Sequence, residues 1–329
     1  MHRRLLDLLR CPGCAAALAL DGARESAGEI EEGRLSCAAC ARSWPIERGI
    51  PRFVGRDNYA SNFDVQWNAF RSTQLDSASG LPISRNRFGH YTGWDERTLK
   101  GALVLDAGCG AGRFAEIALS LGARVVAVDY SGAIDAARAN LAAKGEIDFV
   151  QADINALPFA PEAFPFVYCL GVIQHTPDPA RSFRDLATVT AAGGRLALDV
   201  YAAGWKNLFF AKYWIRPLTR RISAQTSLRI VRRIFPPLYA LSLLVGAIPF
   251  AGRKLRHLIP VANYSGIYPL DKAQLREWAL LDTFDMWAPA YDQPQSLATL
   301  RRWFGAAGFR DAEIFRAGFF VGRGMKPAR

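Results

Sequence analysis

From Leu103 onward the chain alternates short apolar runs with amphipathic stretches of helical length. V-L-D-A-G precedes such a stretch at 113–121, R-V-V-A-V-D precedes another at 134–143, and I-D-F-V-Q-A-D follows. F-V-Y-C-L-G-V then leads into 180–190, and R-L-A-L-D-V-Y ends the series. Apolar runs of strand length, each followed by a period of 3.6, predict βαβ units with right-handed crossovers and a mostly parallel sheet. Farther on, 271–281 and 296–307 read as helices, and F-R-D-A-E-I-F with A-G-F-F-V-G-R-G predicts a closing antiparallel hairpin. The expected fold class is α/β with a doubly wound sheet.

Upstream of this series lies a small unit at 1–56. Its pattern predicts a helix at 3–9, a strand at 16–20 and a charged hairpin around Gly28 and Gly33. A connector at 57–100 follows, where Phe63, Trp67 and Phe70 recur at helical spacing and predict one helix packed on a neighbour. The small unit is too short to hold a core of its own, and metal would supply the missing stabilisation. Four of the six cysteines form two C-x-x-C pairs, Cys11 with Cys14 and Cys37 with Cys40. Four thiolates are the ligand set of a closed, structural zinc site. The opening M-H-R-R-L-L-D-L-L-R lacks the apolar centre of a signal peptide, and the thiols read as reduced, so a cytoplasmic location is expected.

With 329 residues and 50% hydrophobic composition, the chain can bury a sizeable core, which excludes disordered and fibrous classes. The net charge of +11 is local. Eleven Lys and Arg fall between Trp205 and Pro260 with no acid among them, and removing them from the 41 leaves 30 bases against 30 acids. A basic, apolar insert of this kind suits an anionic membrane face at 205–260, an anionic substrate group or RNA phosphates, or simply forms a helical cap over a pocket. Residues 234–252 carry no charge, but Pro236, Pro237 and Pro249 leave only eleven uninterrupted, which is too few for a membrane span.

Chemistry concentrates in V-L-D-A-G-C-G-A-G-R-F. A strand ends at Asp106, and a loop with Gly108, Gly110 and Gly112 opens a helix. Alone such a loop is a weak signal. Asp129 ends the next strand where a carboxylate can accept both ribose hydroxyls of an adenosine, and Asp153 ends the one after, within reach of an adenine edge. For Asp129 the alternative is a helix N-cap, and for Asp153 turn chemistry. Three strand-end acids fit a cationic ligand without phosphate better than a pyrophosphate. Cys109 precedes a helix N-terminus, as a reactive thiol would, but a small loop residue is the plainer reading.

At these residues the sequence resembles the class I S-adenosylmethionine-dependent methyltransferases, type 11-like. D-A-G-C-G-A-G-R matches their first motif, V-A-V-D their ribose acid, Q-A-D-I-N-A-L-P-F their adenine motif, F-V-Y-C-L-G-V-I-Q-H-T-P-D-P their fourth strand and substrate loop, and A-A-G-G-R-L the turn before their fifth strand. The resemblance implies a Rossmann-like, mostly parallel seven-stranded sheet. It also implies S-adenosylmethionine held by Asp106, Gly108, Cys109, Gly110, Gly112, Asp129, Tyr130, Asp153, Ile154, Leu170 and Gly171. Pro165 stands where relatives often carry an acid, and the strand is expected to start after it. The N-terminal unit resembles the zinc-ribbon domain that activates tRNA and release-factor methyltransferases. The implied organisation is a zinc ribbon at 1–56, connector helices over the cofactor site at 57–100, the cofactor-binding core at 101–204, a basic apolar helical insert at 205–270, and completion of the core at 271–329.

The implied reaction is methyl transfer to a small-molecule acceptor, a glycan, lipid-linked or natural-product intermediate. RNA methylation and a non-catalytic cofactor-binding adaptor are the alternatives. Gln174 and His175 follow the fourth strand where acceptor and methyl group meet, so His175 is the candidate base, unless it merely caps the turn T-P-D-P. Downstream, L-D-T-F-D-M-W-A-P-A-Y-D-Q-P has loop-like spacing, and Asp285, Trp287 and Tyr291 are either acceptor contacts or core packing.

Overall fold

The structure is a computed structural model that describes residues 1–55, 58–204, 211–219 and 221–328. Lys206 and Arg220, two of the eleven bases of the insert, lie outside the described residues, as do the flanking Trp205 and Phe210. The described residues form two sheets. The first joins β1 (Ala19–Ser26), β2 (Glu29–Ser36), β3 (Ser43–Glu47) and β4 (Ile50–Pro51) as an antiparallel meander. The second joins β5 (Leu103–Ala107), β6 (Arg124–Asp129), β7 (Ile147–Gln151), β8 (Phe164–Cys169), β9 (Thr190–Val200), β10 (Arg310–Ala317) and β11 (Phe319–Met325) in the order β10-β11-β9-β8-β5-β6-β7. The pairs from β7 through β9 are parallel, and β11 runs antiparallel to both its neighbours. This is the expected Rossmann-like, doubly wound, mostly parallel seven-stranded sheet.

Helices follow in chain order: α1 (Leu5–Leu8), α2 (Ser61–Ala69), α3 (Asp76–Ser79), α4 (Ile83–Thr92), α5 (Glu96–Leu99), α6 (Arg113–Ser120), α7 (Ala133–Leu141), α8 (Pro179–Val189), α9 (Ala211–Thr219), α10 (Ala224–Gly246), α11 (Gly252–Leu255), α12 (Lys272–Trp287) and α13 (Leu297–Ala306). Chain order leaves β5 toward β6 and β7 on one side and returns to β8 on the other. The β5/β8 boundary is thus the switch point beyond whose carboxyl ends α/β sheets bind ligands.

The N-terminal unit shares its core with the large sheet. Leu5, Leu9, Ile30, Leu35 and Ile46 pack in one buried cluster with Leu105, Val126, Val150 and Phe164. β7 would otherwise be an open edge, and the unit covers it. Phe53 N–H donates to Gln151 O at 2.8 Å, and Arg52 lies in a parallel bridge with Gln151. Two polar residues buried in β7 find their partners there. Asp148 accepts from His2 N at 2.7 Å, and Gln151 Oε1 accepts from Arg52 at 2.8 Å. Burying these groups unpaired would cost about 1–3 kcal/mol each.

Several sequence expectations need correction. The first strand begins at Ala19 rather than 16, and Gly33 lies inside β2 while the turn sits at Ala27 and Gly28. β8 starts before Pro165, not after it. Pairing to β9 jumps from Phe164↔Thr190 to Phe166↔Arg195, so Pro165 occupies an irregularity where no ladder bond is asked of it. The A-A-G-G turn is absorbed into the same irregular stretch of β9.

Pro236 and Pro237 do not break their helix, and α10 runs through them for 23 residues. Arg232, Arg233, Pro236 and Pro237 all lie on its exposed face, so water can take the carbonyl bonds that proline leaves unmade. The L-D-T-F-D-M-W segment is likewise helix rather than loop. α12 opens on an Asp271–Gln274 capping box and continues to Trp287, because its polar side chains point toward partners in the fold.

Candidate active site

Glycine at 108 is demanded by geometry. Its φ is +87°, and a Cβ there would lie 2.5 Å from both methyls of Val172 in the loop after β8. The loop is fastened to the neighbouring strand by Gly108 N–H and Cys109 N–H, which donate to Val128 O at 2.7 and 2.9 Å. Gly110 N–H donates to Asp129 Oδ2 at 2.9 Å, while Ser131 N–H and Oγ–H donate to Oδ1 at 2.8 and 2.7 Å. Asp129 therefore organises the glycine loop and the β6–α7 turn together, and Gly132 rather than Asp129 stands at the N-cap of α7. A carboxylate has about four lone-pair sites, so a hydroxyl can still reach Asp129.

Above this loop lies a cavity of about 270 Å³. One wall is the loops after β5, β7 and β8, with Gly108, Cys109 and Gly110 from the first, Ile154 from the second, and Leu170, Gly171 and His175 from the third. Asp129 and Tyr130 close the β6 side. α2 and its approach contribute Tyr59, Phe63, Gln66 and Trp67. Tyr264, Tyr268, Trp278, Asp282, Asp285 and Met286 form the far wall. The Tyr59 ring stacks on Tyr130 at 4.6 Å and meets Tyr291 edge-on at 5.3 Å.

The polar groups of the far wall form a chain. Gln74 donates to Asp282 at 3.2 Å and accepts from Arg113 at 3.0 Å, and Tyr264 O–H donates to Asp282. Burial pushes the Asp282 carboxyl up to about 7 and brings Arg113 down to about 10. Gln66 donates to Asp285 at 3.3 Å. None of Gln66, Gln74, Arg113, Tyr264 or Asp282 was singled out from the sequence. They come from five separated stretches, and the one usable hint was the density of acids and aromatics at 281–294.

His175 is buried in the cavity wall between the rings of Phe63 and Tyr201, at 5.5 and 5.3 Å. Its Nδ1 lies 2.9 Å from the carbonyl oxygen of Tyr291, which can only accept, so Nδ1 carries the proton and Nε2 the lone pair. Burial lowers the pKa below the usual 6.5, against a smaller opposing pull from Asp285. The ring is neutral at pH 7 and in the tautomer a base requires.

Other singled-out residues sit elsewhere. Asp106 is 2% exposed and sealed beneath the glycine loop beside Tyr168, outside the cavity wall; burial pushes its pKa up to about 8. Asp153 caps the following turn through Asn155 N–H at 2.8 Å, and Gly112 stands at the N-cap of α6. The Cys109 thiol does line the cavity, but burial raises its pKa well above 9, which removes the thiolate a nucleophile needs. Gln174 is fully buried behind the wall, and its backbone O accepts from Gln293 N at 2.8 Å. Trp287 packs in the cluster of Phe70, Leu228 and Phe284, with its indole N–H on Pro260 O at 3.3 Å. Asp285 faces the cavity, whereas Tyr291 acts on it through its carbonyl and ring edge. The far-wall carboxylates thus replace two of the three strand-end acids as the negative charge around the cavity.

In the N-terminal unit the Sγ atoms of Cys11, Cys14, Cys37 and Cys40 all lie within 4.8 Å of one another, with Cys11–Cys40 at 3.5 Å and Cys14–Cys37 at 3.4 Å. Thiolates about 2.3 Å from a tetrahedral zinc stand roughly 3.8 Å apart, so the donor set and spacing fit a metal.

Comparison with known proteins agrees with this geometry. Residues 105–198 match the family model described as a methyltransferase domain, and residues 2–49 match the one described as Trm112p-like protein. A ubiquinone biosynthesis O-methyltransferase of Stutzerimonas stutzeri is 39% identical over 117 residues, 35% of this chain and 50% of that protein. One of Coxiella burnetii is 35% identical over 115 residues, 34% of this chain and 49% of that protein. The chain thus spans about half the length of the curated relatives it matches. A solved complex containing the Haloferax volcanii Trm112 methyltransferase activator aligns with 83% of this chain and 99% of that chain, at 14% identity and a TM-score of 0.47. Residues 105–198 are thus similar to methyltransferase domains and residues 2–49 to Trm112p-like proteins.

Proposed function

We propose that this chain is an S-adenosylmethionine-dependent methyltransferase acting on a small-molecule acceptor, a glycan, lipid-linked or natural-product intermediate. The observation that carries the reading is the cavity at the switch point, with the Gly108–Gly110 loop and Asp129 at one end and Asp282, Asp285 and a wall of aromatic rings at the other. When bound, the cofactor supplies a methyl carbon activated by a sulfonium. Asp129, already ordered by Gly110 and Ser131, holds the ribose hydroxyls, and Tyr130, Ile154 and Leu170 flank the base. Carboxylates among aromatic faces favour a cation. The rings of Phe63, Trp67, Tyr201 and Phe319 exclude water, so that an acceptor is held in line rather than competing with solvent. His175 Nε2 takes the proton from an acceptor hydroxyl or amine as its nucleophilic atom attacks.

Supporting roles follow from the same contacts. Cys11, Cys14, Cys37 and Cys40 hold a structural zinc, and the unit they close acts as a scaffold. Arg52 reaches from it to Gln151, whose Nε2 donates to Tyr130 O at 3.2 Å, so ribbon and cavity wall are two hydrogen bonds apart. A concave cavity with aromatic and acidic walls suits a small acceptor better than an RNA strand, which needs a basic groove with stacking platforms.

Titration calorimetry with S-adenosylmethionine, together with transfer of a labelled methyl group to candidate acceptors, tests the reading. Asp129→Ala removes charged hydrogen bonds worth about 1.5–3 kcal/mol each, so affinity should fall roughly 100-fold. Absence of cofactor binding by the wild-type protein overturns the proposal.

A further inference from the structure

The exposed apolar side chains are concentrated in one region. Of the twelve large hydrophobic residues exposed among the described residues, eleven lie between Trp214 and Ile267, and Phe250 and Leu244 are the barest of those beyond the first helix of the insert, at 105% and 71%. α10 packs its Leu228, Val231, Phe235 and Tyr239 face inward. At its C-terminal end Leu241, Leu243 and Leu244 point outward, and Ile248 follows, exposed in the turn after the helix. The chain then turns sharply and α11 folds back on the end of α10, so closely that a Cβ on Gly252 would lie 2.3 Å from Val245 O. Phe250, Leu255 and Leu258 therefore crowd the same hairpin tip as Leu244 and Ile248. Arg253 and Lys254 are exposed within it, and Arg229, Arg232 and Arg233 are exposed farther back along α10. No acid occurs anywhere from 200 to 270.

We infer that this hairpin tip is a docking element for an anionic lipid bilayer, with Leu244, Ile248, Phe250, Leu255 and Leu258 entering the headgroup region and Arg253 and Lys254 contacting the lipid phosphates. Monomeric proteins keep large apolar patches covered, so a patch of bare aliphatics calls for an apolar phase. A ring of bases with no acid calls for an anionic one, and the interface of an anionic membrane offers both. RNA would meet the charge but not the aliphatic tip, since bases stack on aromatic rings and the tip offers only the rings of Phe250 and His257 beside the exposed Leu244, Ile248, Leu255 and Leu258. No described helix is long and apolar enough to cross a membrane, so contact is from one side. The inference stands independently of the methyl-transfer reading, because vesicle binding needs no catalysis.

The test is co-sedimentation of the full chain with vesicles of phosphatidylcholine alone and of phosphatidylcholine with 30% phosphatidylglycerol. We expect binding to the second and little to the first, weakening as salt is raised. Leu244→Glu/Phe250→Glu should lower partitioning at least about 100-fold, from the transfer free energy of two side chains. Arg253→Gln/Lys254→Gln should lower it about 30-fold, at roughly tenfold per 1.4 kcal/mol and about 1 kcal/mol for each base. These positions are exposed, and unchanged circular dichroism and thermal midpoint would show that the variants fold. Absence of binding to anionic vesicles overturns the inference, as does binding that both variants retain, or a tip-dependent dimer or RNA complex in place of vesicle binding.

Discussion

Asp106 offers the sharpest quantitative test of how the glycine loop is built. Its carboxyl is 2% exposed, and burial pushes the pKa from 3.8 up to about 8, with the neighbouring Tyr168 hydroxyl opposing only in part. The folded state therefore holds a proton that the unfolded chain has released between pH 3.8 and about 8. A folded-state pKa above the unfolded one means stability that is fully present at low pH and lost as pH rises through this window. Each pH unit costs about 1.4 kcal/mol, which at pH 7 amounts to about 4 kcal/mol. Asp106→Asn keeps the shape and the neutral state without proton uptake. Its stability relative to wild type should rise by about 1.4 kcal/mol per pH unit, so that between pH 5 and pH 7.5 the gain grows by roughly 3 kcal/mol. Urea unfolding followed by tryptophan fluorescence at several pH values measures the difference, and pH-independent losses of packing cancel in the slope. A difference that stays flat across pH 5–7.5 would falsify the burial of a protonated Asp106.

His175→Ala should cut turnover by two to four orders of magnitude with little change in cofactor affinity. Because burial lowers its pKa, the wild-type turnover should hold as pH falls to 6.5 and decline only below it; full activity in the variant would end the base reading. Metal analysis should find one zinc per chain. Chelation should lower the thermal midpoint, because Leu5, Leu9 and Ile30 share their core with the large sheet, and an unchanged midpoint would mean that the thiols hold no stabilising metal. Gly108→Ala should abolish cofactor binding measured by calorimetry, since the added methyl collides with Val172 at a φ of +87°; near-normal affinity would show that the loop can move aside.

Much of the site was legible because its residues are local in sequence. The glycine loop, Asp129, Tyr130 and the Leu170–His175 stretch each sit directly after an apolar run of strand length, and in a parallel sheet such positions share one edge. Asp106 and Asp153 satisfied the same rule yet do not line the cavity. Strand-end position says which edge a residue is on, but not whether its side chain turns beneath the loop or caps the next turn. The far wall was illegible for a different reason. Gln74, Arg113, Tyr264 and Asp282 meet from distant stretches of chain, and the acids and aromatics at 281–294 read as a loop because nothing local shows that those side chains would find partners across the cavity. Trp287, for which acceptor contact and core packing were both open, packs against Leu228 and Val231 of α10.

Local alternation, the two C-x-x-C pairs and the glycine loop followed by Asp129 determined the sheet, the four-cysteine unit and the glycine-loop end of the cavity. Each is a short-range pattern that backbone geometry reads directly. Only the tertiary structure decided that the N-terminal unit seals the β7 edge, that α10 passes unbroken through Pro236 and Pro237, and that Asp282 and Asp285 line the far end of the cavity. It also decided that the basic insert ends in a bare aliphatic tip. These outcomes depend on which faces meet across long stretches of chain, where burial, unpaired hydrogen-bonding groups and charge are balanced over several elements at once.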